Sequence, residues 1–315
     1  MNEIPFTHEK FMARCLQLAA YGAGFVAPNP LVGAVIVWEN QIIGEGFHRK
    51  FGQAHAEVNA VSSVKDKKKL QQSILYVNLE PCFHHGKTPP CVDLIIAHQI
   101  PRVVIGHSDP FPAVAGKGIE CLRQAGIDVQ CGILEKECRI LNRRFLTFVQ
   151  KKRPYVILKW AQSNDGFMDQ IRFPGDGKKA VKFSNAFTQM LNHKLRSEEA
   201  AILVGKNTEI LDNPSLNVRF WTGNDPIKFI ASERTAPAVL LDKMYQQGMQ
   251  SVIVEGGARL LHSFIEEKLW DEARIEVAPV SLKTGVKAPF LEGKIQHVEN
   301  ENDHVYFSII ATDNS

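Results

Sequence analysis

The chain has 315 residues, of which 44% are hydrophobic and 23% charged, the makeup of a globular protein long enough for two compact domains. The net charge of +3 comes from 37 basic and 34 acidic side chains spread along the chain, and the one dense run, Lys65 to Lys69, reads as a solvated loop, so nothing points to a nucleic-acid partner. No apolar stretch reaches the roughly 18 to 20 residues that span a bilayer, and the N-terminus lacks a signal-peptide core; the expectation is a cytoplasmic protein with no membrane partner.

Strand-like and helix-like segments alternate from the start, the pattern of layered α/β units. Thr7 to Tyr21 carries apolar residues at helical spacing (Phe11, Cys15, Leu18, Ala19), with Thr7 placed to cap its start. Val32 to Trp38 and Gln41 to Phe47 read as two strands joined by the turn Glu39-Asn40. Further strands are expected at Ile74 to Asn78, Arg102 to Gly106 and Ile127 to Cys131, separated by helices near Ala54 to Ser63, Pro90 to His98 and Gly116 to Ala125. A single helix, Glu135 to Gln150, closes this unit. Lys151-Lys152-Arg153-Pro154 interrupts the pattern and marks a boundary, giving domains 1–150 and 151–315.

The second unit has strands at Tyr155 to Ala161, Ala200 to Val204, Ile227 to Ala231, Ser251 to Glu255 and Arg274 to Val280. Its helices fall near Ser184 to Arg196, Ala238 to Gln247 and Ala258 to Glu267. The Gly- and Lys-rich stretch Ile171 to Lys182 reads as a mobile loop. Leu269 to Val280 and Val305 to Ile310 are apolar enough either to pair at a subunit interface or to form core strands.

Six cysteines, at 15, 82, 91, 121, 131 and 138, are too few for a disulfide scaffold and are better read as metal ligands where they cluster. His55-Ala56-Glu57 opens a helix, Pro81-Cys82 follows a strand, and Cys91 lies nine positions on. One histidine and two cysteines suit zinc and leave a fourth position for water, whose activation permits attack on an amino-bearing ring carbon. Glu57, two residues from His55, is placed to shuttle the proton. The pattern follows H-x-E with P-C-x-x-C, except that eight residues rather than two separate the cysteines. If His84 or His85 supplied a fourth ligand, the metal would merely staple the fold.

Ala27-Pro28-Asn29-Pro30-Leu31-Val32-Gly33-Ala34-Val35-Ile36-Val37, His55-Ala56-Glu57 and Glu80-Pro81-Cys82-Phe83-His84-His85-Gly86-Lys87-Thr88-Pro89-Pro90-Cys91 closely resemble the bifunctional riboflavin-biosynthesis deaminase/reductase family. The resemblance implies a three-layer cytidine-deaminase-like N-terminal domain that removes the 2-amino group of 2,5-diamino-6-(5-phosphoribosylamino)-pyrimidin-4-one. It assigns zinc to His55, Cys82 and Cys91, the proton shuttle to Glu57, and substrate contacts to Asn29, His84, Lys87 and Asp109. Asn29 is otherwise a turn residue. Asp109-Pro110-Phe111-Pro112 departs from the family's Asp-Pro-Asn-Pro element at Phe111, so only Asp109 carries over.

Lys159-Trp160-Ala161-Gln162-Ser163-Asn164-Asp165-Gly166, Ala201 to Gly205, Asp212-Asn213-Pro214 and Val254-Glu255-Gly256-Gly257 extend the resemblance to the family's reductase domain, which is similar in fold to dihydrofolate reductase. The implied reaction is NADPH-dependent reduction of the ribosyl side chain to ribityl. Substrate contacts carry over to Asp165, Arg196, Leu216, Arg219 and Glu255, and cofactor contacts to Gln162, Thr208, Asp212, Gly256 and Gly257. By residue pattern alone Gly256-Gly257 is as good a tight turn as a phosphate cradle, isolated arginines are ordinary surface residues, and Asp165 fits a simple turn. The family also implies a homo-oligomer, and several tens of residues where this chain has only Ser232 to Pro237. That short connection leaves open a deaminase with an idle reductase domain, or a protein that binds zinc and phosphate without turnover. A deaminase of free nucleosides or of a tRNA base is the other alternative.

Overall fold

The computed structural model describes residues 7–83, 89–111, 115–232, 234–301 and 303–312. The chain divides into two compact units, residues 1–151 and 152–315. Among the described residues no helix is long and apolar enough to cross a membrane.

Unit 1 runs α1 (His8–Ala20), β1 (Gly33–Trp38), β2 (Gln41–Phe47), α2 (Ala56–Ser63), β3 (Ile74–Leu79), α3 (Cys91–Ala97), β4 (Arg102–His107), α4 (Lys117–Gln124), β5 (Asp128–Cys131), α5 (Glu135–Leu141) and α6 (Arg143–Lys151). One five-stranded sheet has the order β2-β1-β3-β4-β5. The β1–β2 hairpin is antiparallel, and Glu39 and Asn40 both take positive φ, the twist a two-residue hairpin turn requires. β3, β4 and β5 run parallel, as their intervening helices demand. Strand alternation splits the apolar side chains between two faces. Ala34, Ile36, Leu75, Val77, Val103 and Ile105 pack with residues of α2, α3 and α4, while Val35, Val37, Tyr76 and Val104 pack with residues of α1 and α5. The result is the expected three layers.

Three local expectations change. Thr7 occupies the N-cap position of α1, but its side chain makes no capping hydrogen bond. The lysine run is partly ordered as a 3-10 turn, Lys67–Gln72, because Asp66 accepts the Lys68 N–H and Lys67 donates to the Val61 and Ser62 carbonyls at the end of α2. The helix expected over 135–150 breaks at Asn142, whose side-chain oxygen accepts from Leu31 N (2.8 Å) and whose amide donates to Leu31 O (2.9 Å). A buried asparagine that satisfies another segment's backbone in both directions outweighs one continuous helix.

Unit 2 contains β6 (Tyr155–Ser163), β7 (Phe167–Asp169), α7 (Ala186–Glu198), β8 (Ala201–Gly205), α8 (Lys206–Asp212), β9 (Ile227–Ala231), α9 (Pro237–Gln246), β10 (Ser251–Val254), α10 (Ala258–Glu266), β11 (Glu272–Ala278), β12 (Val286–Lys287), β13 (Lys294–Glu301) and β14 (His304–Ile310). The main sheet has the order β13-β14-β11-β6-β10-β8-β9, parallel from β11 to β9, with β14 and β13 added antiparallel. β11 pairs with β14 within the chain, so the two apolar segments are partners in one sheet. Gly205, the last residue of β8, and Glu255, which follows β10, line one cavity at the C-terminal ends of these parallel strands, where open α/β sheets hold their ligands. The stretch 171–182 has no regular element, yet it is tied down: Arg172 bonds Asp169 and Asp212, Asp169 accepts from Val181 N, and Gln170 donates to Lys179 O.

Candidate active sites

In unit 1, three helix and strand ends converge. His55 is the N-cap residue of α2, Glu57 lies in that helix's first turn, Cys91 is the first residue of α3, and Cys82 follows β3 by three positions. His55 Nδ1 lies 3.3 Å from Cys91 Sγ and 3.5 Å from Cys82 Sγ. Among the described residues this is the one group of three or more His, Cys, Asp or Glu side chains close enough to share a metal ion.

The donors fit zinc. With zinc–nitrogen and zinc–sulfur distances of about 2.0 and 2.3 Å, a tetrahedral nitrogen–sulfur edge is about 3.5 Å. One imidazole and two thiols also leave the fourth corner open, as catalytic sites require. The Cys82 thiol is held below the ordinary thiol range, since the Cys91 thiol, the His55 ring and the Cys91 backbone N–H (3.2 Å) favour its thiolate against the opposing effect of burial. Glu57 is 3% exposed, and burial, followed by the neighbouring Cys82 sulfur, raises its carboxyl to about 7. A cation on the three ligands acts in the opposite sense.

A cavity of about 570 Å³ opens on this cluster and brings Asn29, His48, Glu57, Cys82, Asp109 and Phe111 to one space. Asn29 and Asp109, expected as substrate contacts, therefore share a wall with the metal ligands. His84 and Lys87, expected with them, lie outside the described residues. His48 is a site residue that sequence reasoning missed. It is 3% exposed, packs edge-on against His55, bonds Ala54 O through Nδ1 (3.1 Å) and meets Asn29 Nδ2 through Nε2 (3.1 Å). With Nδ1 protonated toward that carbonyl, Nε2 accepts from the Asn29 amide, which leaves the Asn29 oxygen as the group offered to a ligand. A lone histidine at the end of a strand carries no motif, so only the fold reveals it.

In unit 2, a cavity of about 750 Å³ gathers Thr208, Asp212, Glu255, Gly256 and Gly257, five of the expected site residues. Gly257 is the N-cap of α10, so backbone N–H groups of its first turn lack helical partners and favour an anion. A Cβ on Gly256 would lie 2.7 Å from Leu260 Cδ2 and 3.0 Å from its Cβ, so a larger residue there requires Leu260 to shift. Asp212 enters the site paired to Arg172 (2.8 Å).

The other expected residues are placed differently. Arg196 donates to both Glu255 oxygens and to Asn217 O, so its guanidinium is engaged within the protein. Arg219 bonds Asn217 Oδ1, and its backbone N–H donates to His193 Nδ1 (3.0 Å). Leu216 sends its side chain into a core cluster with Ile202, Val204 and Ile253, leaving only its backbone for contacts. The Asp165 carboxylate accepts from Ser281 Oγ, Leu282 N and Lys283 N, and the Ser163 hydroxyl first, with Ser281 and these N–H groups, holds it below the usual carboxylate range. Gln162 accepts from Trp160 Nε1 (2.7 Å) and does not line the cavity.

Fold and sites together define an enzyme that joins a zinc-dependent deaminase unit to a reductase unit. Residues 5–107 match the cytidine and deoxycytidylate deaminase zinc-binding region, and residues 154–238 and 234–306 match the RibD C-terminal domain in two pieces that meet at the short β9–α9 connection. The riboflavin biosynthesis protein RibD of Aquifex aeolicus is 37% identical, with 88% of each chain covered, and that of Bacillus amyloliquefaciens is 36% identical over 96% of this chain and 93% of its own. Among solved structures, Acinetobacter baumannii RibD superposes with a TM-score of 0.88 at 31% identity, covering 96% of this chain and 98% of that one. A diaminohydroxyphosphoribosylaminopyrimidine deaminase/5-amino-6-(5-phosphoribosylamino)uracil reductase from Thermotoga maritima superposes with a TM-score of 0.86 at 33% identity, with the same coverage of each chain. The chain belongs to the RibD family of riboflavin biosynthesis proteins: a bifunctional deaminase and reductase that uses zinc and NADPH.

Proposed function

We propose that unit 1 hydrolytically deaminates 2,5-diamino-6-(5-phosphoribosylamino)-pyrimidin-4-one and that unit 2 reduces the ribosyl side chain of the product to ribityl. The observation that carries the first half is the single cavity in which Glu57, His55 and Cys82 share the lining with Asn29 and Asp109, with Cys91 buried against His55 and Cys82. Zinc held by those three ligands supplies the Lewis acidity that makes water a nucleophile near neutral pH. Glu57 takes the attacking water's proton and delivers it to the ring nitrogen, then carries the second proton, from the added hydroxyl, to the amino group as it leaves as ammonia. Asn29, oriented by His48, and Asp109 hydrogen-bond the pyrimidine, with His84 and Lys87 as further contacts.

In the second half, NADPH supplies the hydride, and the chain's task is alignment. The backbone at Gly256 and Gly257 receives the cofactor's phosphates, with Thr208, Asp212 and Gln162 as further cofactor contacts. Arg219 grips the substrate phosphate, Arg196 holds Glu255 toward the substrate, and the Leu216 backbone and Asp165 complete the wall. An idle reductase finds little support, because Ser232, Arg234, Thr235 and Ala236 of the short connection still line the unit 2 cavity. The charge spread along the chain and the two cavities favour small-molecule substrates over nucleic acid, and the family likeness favours a cytoplasmic homo-oligomer. Mixing the protein with the diaminopyrimidine phosphate and NADPH tests the reading: ammonia release followed by NADPH oxidation is expected. Release of ammonia from cytidine or from an adenosine-bearing RNA, but not from this substrate, would overturn it.

A further inference from the structure

We infer that Glu80 is a positioning residue of the deaminase site: its carboxylate clamps the loop that carries Asp109 to the strand end that carries Cys82. This rests on the reading of Asp109 as a substrate contact. Glu80 is 6% exposed and lines the cavity, yet its oxygens face backbone. Oε1 accepts from Gly118 N (2.9 Å) and Ile119 N (3.3 Å), and Oε2 accepts from Asp109 N (3.0 Å) and Gly116 N (3.0 Å). A carboxylate has about four acceptor positions, so these bonds saturate it and leave none for a ligand.

The bonds are strong for a physical reason. Gly118 and Ile119 belong to the first turn of α4, where N–H groups have no helical partner and the helix dipole favours an anion. Access is close: a Cβ on Gly118 would lie 2.4 Å from Pro81 O and 3.1 Å from Glu80 Oε1. Glu80 N also donates to His107 O (3.0 Å), so residues 80 and 81 are strapped to 107–109 and to 116–119 together. The Asp109 side chain is set by this backbone, since its Oδ1 accepts from Phe111 N (2.8 Å) within the same loop. A shift of the clamp therefore moves the Asp109 carboxylate, while Glu57, His55 and Cys91 stay on α2 and α3, which the clamp does not grip, and Cys82 stays on the strand end to which the loop is fastened.

Glu80→Gln presents an amide NH2 to two of the four donors and loosens the loop. With the diaminopyrimidine substrate, KM should rise about tenfold or more while kcat at saturation and zinc content hold, the pattern of lost binding rather than lost chemistry. Asp109→Asn should raise KM by itself, and the double variant should be no worse than the larger single one, because both remove one contact. Multiplying effects, or a fall in kcat at unchanged KM, would overturn the positioning role. A silent Asp109→Asn would instead overturn the reading of Asp109, and Glu80 would lose the group it acts through. If Glu80→Gln does not fold, Glu80→Asp, which keeps the charge but reaches fewer donors, carries the same comparison at smaller amplitude.

Discussion

Arg196 on α7 and Glu255 at the end of β10 meet in a two-pronged ion pair, Nη2 to Oε2 at 2.7 Å and Nε to Oε1 at 3.1 Å, each side chain 12% exposed. The paired fork fixes the direction of both groups, so Glu255 faces the site with its charge already compensated.

Burial pushes the Glu255 carboxyl up, but Lys159 and Arg196 more than offset it and hold it below its ordinary value. A carboxylate lowered in the folded state contributes stability that is present above its unfolded value and lost as pH falls through its folded one. Urea unfolding of Glu255→Gln should thus show a deficit near pH 7 that narrows as the pH drops below about 4. Arg196→Met, which removes the hydrogen-bonding fork and leaves only Lys159 to offset the burial of the carboxylate, should cost about 2 to 3 kcal/mol at neutral pH. A pH-independent deficit in Glu255→Gln would argue against the pair as its source.

Glu57→Gln keeps the shape of the first turn of α2 but removes the proton carrier. Ammonia release should fall by a factor of about 100 to 10,000 while bound zinc, counted by metal analysis, persists. Release at the wild-type rate would assign the shuttle elsewhere.

Chelation separates the two activities. The ligands His55, Cys82 and Cys91 all lie in unit 1, and the residues around the unit 2 cavity include none of them. Stripping zinc should abolish ammonia release yet leave NADPH oxidation intact when the already deaminated substrate is supplied. Parallel loss of both activities would count against two independent sites.

Close packing under the metal site gives another handle. A Cβ on Gly46 of β2 would lie 2.4 Å from Ala60 N and 2.6 Å from Ala56 O, so α2, which carries Glu57 and is capped by His55, rests directly on that glycine. Gly46→Ala should cost about 1 to 3 kcal/mol of stability and weaken zinc retention, because the helix must shift relative to Cys82 and Cys91. Thermal melts and zinc titration against a competing chelator would measure both, and unchanged zinc affinity would show that the helix does not move.

Periodicity and motif chemistry made most of both units legible before any coordinates. β2 and β9 have the bounds expected of them, and His55, Glu57, Cys82 and Cys91 form one site, because a short strand-forming run and the H-x-E and P-C motifs are properties of a few neighbouring side chains. Contacts between distant segments were not legible in this way. Asn142 breaks a helix by satisfying Leu31, 111 positions away, and β14 joins the main sheet by pairing with β11 on one side and β13 on the other. His48 orients Asn29, Glu80 holds the Asp109 loop, and Arg196 is taken up by Glu255, which lines the unit 2 cavity. A side chain's chemical type is written in the chain, whereas the partner that uses up its hydrogen bonds is set by which segments the two cores bring within about 3 Å.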